Sequence, residues 1–444
     1  MLKTFPRGGV HPAENKFTAD KAIEKPGLPK QVIIPIAQHI GAPATPVVKK
    51  KDQVKAGDLL AEGQGFVSAN IHSSVSGTVA KIDQVIDSTG FRRPCVIINV
   101  EGDEWADGID TSPDLITDFS LSSEEIQKKV LASGIVGLGG GTFPSHVKLS
   151  VPEGKQLDTL VINGVECEPY LTCDHRVMLE RAEEMLVGVK LLMKGQGVDK
   201  ALIGIENNKA DAIAHLEHLT KDDPSIEIYG LKVKYPQGGE KQLIKALLDR
   251  EVPSGGLPLD VGVVVHNVST ALAVYEAIQK NKPLVDRVVT VTGNSLSNPT
   301  NLLVRIGTPV KDLIEAAGGL PEDTGKVVNG GPMMGKALKT LDAPVVKGTS
   351  GILVIPEKQA RREAEAHCIR CARCVDACPM GLEPYLLKPL AEMERYEELE
   401  ENAVLDCMEC GSCSFTCPAR LPLLDYIRLG KSHVNQIIRN RKQK

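Results

Sequence analysis

Residues 134–149 read GIVGLGGGTFPSHVKL, and glycine occupies four of the five positions from 137 to 141. Backbone without side chains at this density costs conformational entropy on folding, so we expect a loop that needs close backbone approach. The stretch has neither the G-x-G-x-x-G spacing of a Rossmann loop nor the G-x-x-x-x-G-K-[ST] spacing of a P-loop. What the loop does must therefore be inferred from the elements around it.

Strands and helices alternate around this loop over residues 120–285. Strand-like apolar runs, each followed by a helical pattern, occur at 157–163, 201–205, 226–233 and 261–266. The helix after the first run is predicted to continue unbroken through 174–194. Such alternation predicts a Rossmann-like, mostly parallel sheet covered on both faces, in which ligands bind beyond the carboxyl ends of the strands. The glycine loop and the segments NGVECEP (163–169) and YPQGGEK (235–241) lie between such elements.

The flanking regions predict two further β-rich units, after an N-terminal extension at 1–30. Residues 31–105 alternate short β-prone runs with Gly and Asp turns and resemble a lipoyl-like barrel-sandwich domain. A carrier domain of that type presents a lysine between its halves, but no lysine occurs between Lys55 and Lys81. A swinging-arm role is therefore not expected. Residues 286–350 show the strand, turn, strand and helix order of a β-grasp (SLBB-type) module.

Eight of the eleven cysteines form two identical runs near the C-terminus. Each run reads C-x-x-C-x-x-C-x-x-x-C followed by proline, at Cys368, Cys371, Cys374 and Cys378 and again at Cys407, Cys410, Cys413 and Cys417. This is the pattern of two-cluster bacterial ferredoxins, in which the fourth cysteine of a run ligates the other cluster. We therefore expect Cys417 to complete the first [4Fe-4S] cluster and Cys378 the second. Zinc is the alternative metal, but zinc sites need neither the third closely spaced cysteine nor the proline.

The cysteine runs place a helical two-cluster ferredoxin-like domain at 357–430. A charged helical linker is predicted at 357–366 and a basic tail at 431–444. The three other cysteines, Cys95, Cys167 and Cys173, match no cluster spacing, and we expect them to be packing residues.

Composition limits the classes of function. The 444 residues are 42% hydrophobic and 25% charged with a net charge of −5, and only 3% are aromatic, which argues against a nucleic-acid partner. We find no secretory signal and no apolar run of about 18 residues. The sequence therefore predicts a cytosolic protein or one on the cytosolic side of a membrane, where any membrane association comes through partners. A peripheral position on the cytoplasmic side of the cell membrane is what the family resemblance described below implies.

Two iron-sulfur clusters transfer single electrons, so the chain needs a partner reaction. A flavin handles both one and two electrons, and a glycine-rich loop opposite acidic residues could seat its ring and phosphate.

The motifs around the loop carry a family resemblance. GLGGGTFPSHVK (137–148), NGVECEP, YPQGGEK and VHNVST (265–270) resemble the FMN- and NADH-binding fold of the flavoprotein subunit of respiratory complex I. Over nearly the whole chain, FPRGGVHP (5–12), PIAQHIGAP (35–43) and the order of the domains resemble the RnfC family of the Rnf electron-transport complexes. This resemblance implies a translocase subunit that couples electron transfer between NADH and ferredoxin to ion transport. Its expected partners are membrane subunits and a ferredoxin-like iron-sulfur subunit.

The resemblance also implies residue roles, with FMN bound non-covalently and NADH as substrate. The predicted cofactor-binding residues are Gly137, Gly139, Gly140, Gly141, Phe143, Lys148, Asn163, Glu166, Glu168, Gly239, Glu240 and Asn267. In these roles the glycines let the loop lie along FMN and Lys148 meets its phosphate. The asparagines hydrogen-bond the flavin or its tail, and the glutamates accept bonds from ribose or nicotinamide. Lys241 replaces a glutamate of the complex I pattern, and no catalytic side chain is assigned.

Two other interpretations stay open from the sequence alone. Cobalamin reductases of propanediol-degrading compartments resemble the chain from about residue 120 onward. A flavin-free electron-wire or scaffold subunit would retain the fold with an empty site.

Overall fold

The computed structural model describes residues 2–442. Residues 2–30 form an N-terminal segment that crosses several of the units described below. Its strand β1 (Ile23–Glu24) pairs in parallel with a strand of the β-grasp sheet, so the segment is anchored rather than free.

Residues 31–102 form the predicted barrel-sandwich unit. Its strands are β2 (Gln31–Pro35), β3 (Thr45–Pro46), β4 (Gln53–Val54), β5 (Leu59–Glu62), β6 (Ile71–His72), β7 (Ser76–Ile86) and β8 (Arg92–Gly102). They build two sheets, of order β2-β8-β7-β4 and β3-β5-β6. Ile34, Val79 and Ile98 of one sheet pack with Leu60 and Ile71 of the other, and this apolar layer holds the two sheets together.

The predicted α/β domain follows. Its elements are α1 (Ser123–Ala132), α2 (Ser145–Leu149), β9 (Thr159–Asn163), α3 (Cys173–Glu180), α4 (Ala182–Gln196), β10 (Ala201–Glu206), α5 (Ala210–Thr220), β11 (Ile226–Leu231), α6 (Glu240–Leu248), β12 (Val263–Asn267) and α7 (Val268–Gln279). The four strands are parallel in the order β11-β10-β9-β12. Alternate residues of β9 belong to the cores on opposite faces of the sheet. Leu160 and Ile162 pack toward α4 and α7, whereas Val161 packs toward α6.

The prediction of one unbroken helix over 174–194 is wrong. Arg181, with φ −129°, separates α3 from α4. Its guanidinium pairs with Glu184 and, at 3.2 Å, with Glu276 of α7. The non-helical backbone at Arg181 interrupts the helix, and α4 continues as the helix packed against α7.

The β-grasp unit comprises β13 (Asp286–Gly293), β14 (Thr300–Arg305), α8 (Val310–Ala316), β15 (Thr324–Asn329), β16 (Lys336–Ala337) and β17 (Gly351–Pro356). With β1 these strands form one sheet of order β1-β14-β13-β17-β15-β16, in which β13 and β17 are parallel. Leu313 and Ile314 of α8 pack on Val289, Val304 and Ile352 of the sheet.

The C-terminal unit is helical, as predicted. Its helices are α9 (Glu357–Ala360), α10 (Arg373–Asp376), α11 (Pro384–Glu392), α12 (Tyr396–Glu401), α13 (Ser412–Thr416) and α14 (Leu423–Lys442). Leu387 of α11, Leu399 of α12 and Ile427 of α14 are buried together in its core.

One sequence-based expectation for this unit is wrong. The charged linker at 357–366 is helical only through Ala360, because the polar residues that follow are exposed and offer no apolar face to pack. The basic tail at 431–444 is helical through Lys442, because buried Val434 continues the apolar stripe of α14. Gln443 and Lys444 lie outside the described residues. In residues 2–442 no helix combines the length and apolar character needed to cross a membrane.

Candidate functional site

The glycine loop lies where the order of the parallel sheet reverses. The chain proceeds outward from β9 through β10 to β11, and then returns to place β12 on the other side of β9. Asn163 ends β9 and Asn267 ends β12, so the two asparagines meet at this reversal point. Open α/β sheets bind their ligands in the crevice at such a point.

The loop itself is a tight turn with an open tip. The Gly137 amide donates to the Phe143 carbonyl at 2.9 Å, and the Thr142 amide donates back to the Gly137 carbonyl at 3.1 Å. Gly140 has φ +96°, and a Cβ added there or at Gly141 would meet no protein atom within 4 Å. The tip therefore presents bare backbone toward open space.

Buried contacts that the sequence does not reveal hold the loop in place. The Leu138 amide donates to the Thr270 hydroxyl of α7 at 2.9 Å, and the Arg287 guanidinium donates to the Leu138 carbonyl at 3.4 Å. A Cβ added at Gly139 would lie 3.3 Å from the Asn267 Cβ, so a side chain there would displace the loop or Asn267 by a few tenths of an ångström. Thr270 ends the VHNVST segment, but no local pattern marks it as the loop's anchor.

Lys148 and Glu240 form an ion pair beside the glycine loop. The Lys148 ammonium lies 2.9 Å from Glu240 Oε1 and donates to the Val265 carbonyl at 2.8 Å. Their side chains are 28% and 40% exposed, so a bound anion could still reach the lysine. Gly239 precedes α6, where an added Cβ would lie 2.5 Å from the Met408 methyl group.

The two predicted asparagines already have protein partners. The Asn163 amide donates to the Gly238 carbonyl at 2.8 Å, and Asn267 donates to Asp174 at 2.6 Å while capping α7 through the Ser269 amide. Both side chains thus shape the crevice, and their contact with a flavin stays a prediction.

Asp174 is a buried carboxylate that sequence reasoning missed. It accepts hydrogen bonds from Asn267 and, at 2.6 Å, from the Ser269 hydroxyl. Burial, followed by the charge of Glu166, raises the pKa of Asp174 to about 6. No spacing in the sequence connects it with residues almost a hundred positions away.

The other two predicted glutamates occupy different surroundings. Glu166 accepts the Asp174 amide at 2.8 Å and the His175 amide at 3.2 Å, so it caps α3. Glu168 Oε1 accepts two amides of the β-grasp unit, from Met333 at 2.9 Å and Met334 at 2.8 Å. Its Oε2 is buried and has no partner among the described residues, and burial raises the pKa of Glu168. Glu168 therefore keeps one free acceptor.

The thiols gather across the two cysteine runs. One small cavity is lined by Cys378 of the first run together with Cys407, Cys410 and Cys413 of the second. Burial and the neighbouring Cys417 raise the pKa of the Cys374 thiol. Within residues 2–442 no three His, Cys, Asp or Glu side chains gather around a single-ion position.

The two sets of four cysteines that are expected to hold one cluster each differ in exposure. Cys368 and Cys371 are exposed, whereas Cys378, Cys410 and Cys413 are buried. The buried set lies against the α/β domain, because the Tyr235 hydroxyl donates to the Cys410 carbonyl at 2.8 Å. Cys95 and Cys173 are buried away from both sets, as expected for packing residues.

Known domain families match the chain in the order of these units. The RnfC barrel sandwich hybrid domain matches residues 3–103, the Nuo51 FMN-binding domain 130–276, the SLBB domain 288–337 and the 4Fe-4S dicluster domain 360–418. Fold and sites together define a flavin- and iron-sulfur-type electron-transfer protein.

Relatives that match over nearly the full length of the chain identify its family within this class. The C component of the proton-translocating ferredoxin:NAD(+) oxidoreductase complex of Clostridium ljungdahlii is 48% identical over 97% of this chain and 94% of its own length. The C component of the Na(+)-translocating complex of Acetobacterium woodii is 44% identical, with 96% of both chains covered. Its counterpart in the ion-translocating oxidoreductase complex of Rhodobacter capsulatus is 41% identical over 97% of this chain and 83% of its own. The chain belongs to the RnfC family of the Rnf complexes.

A solved structure shows the same fold at greater distance. An NAD+-reducing [NiFe]-hydrogenase in the H2-reduced state has a chain with a TM-score of 0.50 and 20% identity. The match covers 71% of this chain and 62% of the hydrogenase chain.

Proposed function

We propose that this chain is the NADH-oxidising subunit of an ion-translocating ferredoxin:NAD+ oxidoreductase complex. The observation that carries the proposal is the contact between the two sites, because the segment beside the glycine loop reaches the Cys410 backbone. A chain built this way can take up a hydride at one site and deliver single electrons at the other. Bound FMN would supply that conversion from two electrons to one.

The crevice fits a flavin mononucleotide. The open backbone of Gly140 and Gly141 offers a flat surface, and Lys148 provides a partly exposed cation for a phosphate. The partly exposed carboxylate of Glu240 is an acceptor for ribose hydroxyls or the nicotinamide amide, whereas Oε2 of Glu168 is buried and faces no solvent. Negative charge at Glu240 favours NADH over a 2′-phosphorylated nucleotide.

We assign the cysteines to two [4Fe-4S] clusters with exchanged fourth ligands. Cys378, Cys407, Cys410 and Cys413 would hold the cluster nearer the flavin, because they line one buried cavity beside the α/β domain. Cys368, Cys371, Cys374 and Cys417 would hold the outer cluster, whose first two thiols are exposed. The outer cluster would then pass electrons to a partner protein.

The partners and location follow from the family. We propose that membrane subunits and a ferredoxin-like iron-sulfur subunit of the complex receive this chain on the cytoplasmic face of the membrane. The barrel-sandwich match at residues 3–103 favours this role over that of a cobalamin reductase.

Anaerobic purification of the full chain tests the proposal. Iron, sulfide and flavin are counted per chain, and cluster reduction by NADH is followed by EPR spectroscopy. We expect one flavin, two [4Fe-4S] clusters and EPR signals that appear on adding NADH. Zinc in place of iron, absence of flavin, or clusters that stay oxidised with NADH would each overturn it.

A further inference from the structure

The N-terminal motif FPRGGVHP (5–12) has no role in the function proposed so far, yet it joins two domains. Val10 and Tyr235 exchange backbone hydrogen bonds, from the Val10 amide at 2.8 Å and from the Tyr235 amide at 2.9 Å. The amide of the preceding residue, Gly9, donates to the Ala377 carbonyl at 2.9 Å. One short stretch of backbone therefore binds the flavin-site segment and the first cysteine run together.

The glycines of the motif are required for this close approach. Gly8 has φ +68°, and an added Cβ would lie 2.5 Å from the carbonyl carbon of Cys378. Gly9 has φ +92°, and its added Cβ would lie 2.9 Å from the Tyr235 carbonyl oxygen. Both positions combine left-handed backbone with contact against other backbone, which no side chain tolerates.

The motif closes a small apolar core that we call the junction core. It consists of Val10, Tyr235, Ala377 and Cys410, with Cys167, Met333 and Met408 packed against it. These residues come from the N-terminal segment, the α/β domain, the β-grasp unit and both cysteine runs. The buried cavity lined by thiols therefore sits at the point where four parts of the chain meet.

Tyr235 lies at the centre of this junction. Its side chain is 2% exposed, and its hydroxyl donates to the Cys410 carbonyl at 2.8 Å. The positive end of its O–H dipole therefore points toward the backbone that carries Cys410.

We propose that the FPRGGVHP motif and Tyr235 are positioning residues for electron transfer, which clamp the inner cluster at a fixed distance and orientation from the flavin site. This inference rests on the function proposed above. The O–H dipole also favours the reduced cluster, because reduction adds a negative charge that the dipole stabilises. Each electron that the cluster gains is one that the NADH-reduced flavin loses.

The first test is Tyr235→Phe in the full chain, with Tyr229→Phe as the matched control. The Tyr229 hydroxyl donates to Glu227 on the same strand, outside the junction. For Tyr235→Phe we expect normal flavin content and a normal rate of flavin reduction by NADH. The midpoint potential of the inner cluster shifts to more negative values, and reduction of that cluster slows by about tenfold, as is typical for loss of an outer-shell hydrogen bond at a metal site. The EPR signal lost in Cys410→Ser identifies the inner cluster.

The second test uses Gly8→Ala, with Gly90→Ala as its control. Gly90 has φ +83° but no atom within 4 Å of an added Cβ, so it matches the backbone strain without the contact. We expect Gly8→Ala alone to increase amide hydrogen exchange around residues 375–382, whether or not cofactors are bound.

The outcomes separate this inference from the proposed function. If NADH fails to reduce the wild-type clusters, the proposed function is wrong. A dithionite titration of the cluster potentials, together with hydrogen exchange, then still tests the clamp. If Tyr235→Phe leaves the inner potential unchanged and Gly8→Ala exchanges like the wild type, the clamp is overturned.

Discussion

The Leu138 amide and the Thr270 hydroxyl form a buried 2.9 Å hydrogen bond that ties the glycine loop to the first turn of α7. Leu138 is the one position from 137 to 141 that has a side chain, and that side chain is buried. The loop thus combines a fixed base with a bare tip, which keeps the tip open for a ligand without letting it collapse.

Thr270→Val should weaken flavin binding. The substitution keeps the side-chain shape but leaves the buried Leu138 amide without its acceptor, which costs about 1–3 kcal/mol. We expect the Kd for FMN to rise by roughly fivefold or more, since about 1.4 kcal/mol corresponds to a factor of ten. Fluorescence titration of the flavin-free protein measures this, with Thr270→Ser as the hydroxyl-retaining control. Equal affinities for the two variants would contradict the anchoring role.

Gly139→Ala and Gly141→Ala should separate folding from flavin binding. The methyl group at position 139 would press on Asn267, so we expect a lower melting temperature as well as weaker binding. At position 141 the methyl group meets no protein atom within 4 Å, so the melting temperature should hold. Flavin affinity should nevertheless fall by about tenfold, because overpacking typically costs about 1–3 kcal/mol. Wild-type affinity in Gly141→Ala would exclude the loop tip as the flavin surface.

Serine substitutions should show that cysteines from different runs bind the same cluster. Cys378→Ser and Cys410→Ser should remove the same EPR signal, because both thiols line one cavity. Cys374→Ser and Cys417→Ser should remove the other signal. Each variant should retain about half the iron of the wild type, since each single cysteine ligates only one of the two clusters. If Cys378→Ser instead matched Cys374→Ser, the exchanged ligand assignment would be wrong.

The buried Lys347 should make the free energy of unfolding increase with pH in the alkaline range. Burial lowers its pKa from 10.5 to about 7, and its amine donates to the Asn70 and Gly134 carbonyls at 2.8 and 2.7 Å. Above pH 7 the folded state holds fewer protons at this site than the unfolded state, so raising the pH favours folding. One such proton corresponds to about 1.4 kcal/mol per pH unit.

Lys347→Met should therefore flatten the rise in urea midpoint between pH 7 and pH 9. Lys339→Met, at an exposed position, serves as the control and should keep the wild-type slope. Parallel slopes for wild type and Lys347→Met would show that the buried lysine does not carry this pH dependence.

Local patterns were enough to predict most of the strands and helices of the α/β domain. Ser122 and Glu125 have capping-box spacing, and the structure shows both of its hydrogen bonds at the start of α1. The cysteine spacing likewise predicted that Cys378 would join Cys407, Cys410 and Cys413, and these four thiols line one cavity. In both cases the residues interact through short segments of known geometry.

Long-range packing was beyond the reach of the sequence. Tyr235 and Cys410 come together only when the α/β and C-terminal units dock, and nothing in either segment specifies its partner. The linker after Ala360 has helix-forming residues but no surface to pack against, so local propensity misled the prediction. Asp174 is informative only through its burial, which no one-dimensional pattern discloses.

The clamp also has a consequence for biosynthesis. On the ribosome, Gly8 and Gly9 emerge long before Ala377 and Cys378, the residues on which they close. The same segment can pair with Tyr235 much earlier, so its contacts with the first cysteine run are the ones that form late. The clamp can therefore close only after the first cysteine run has left the ribosome.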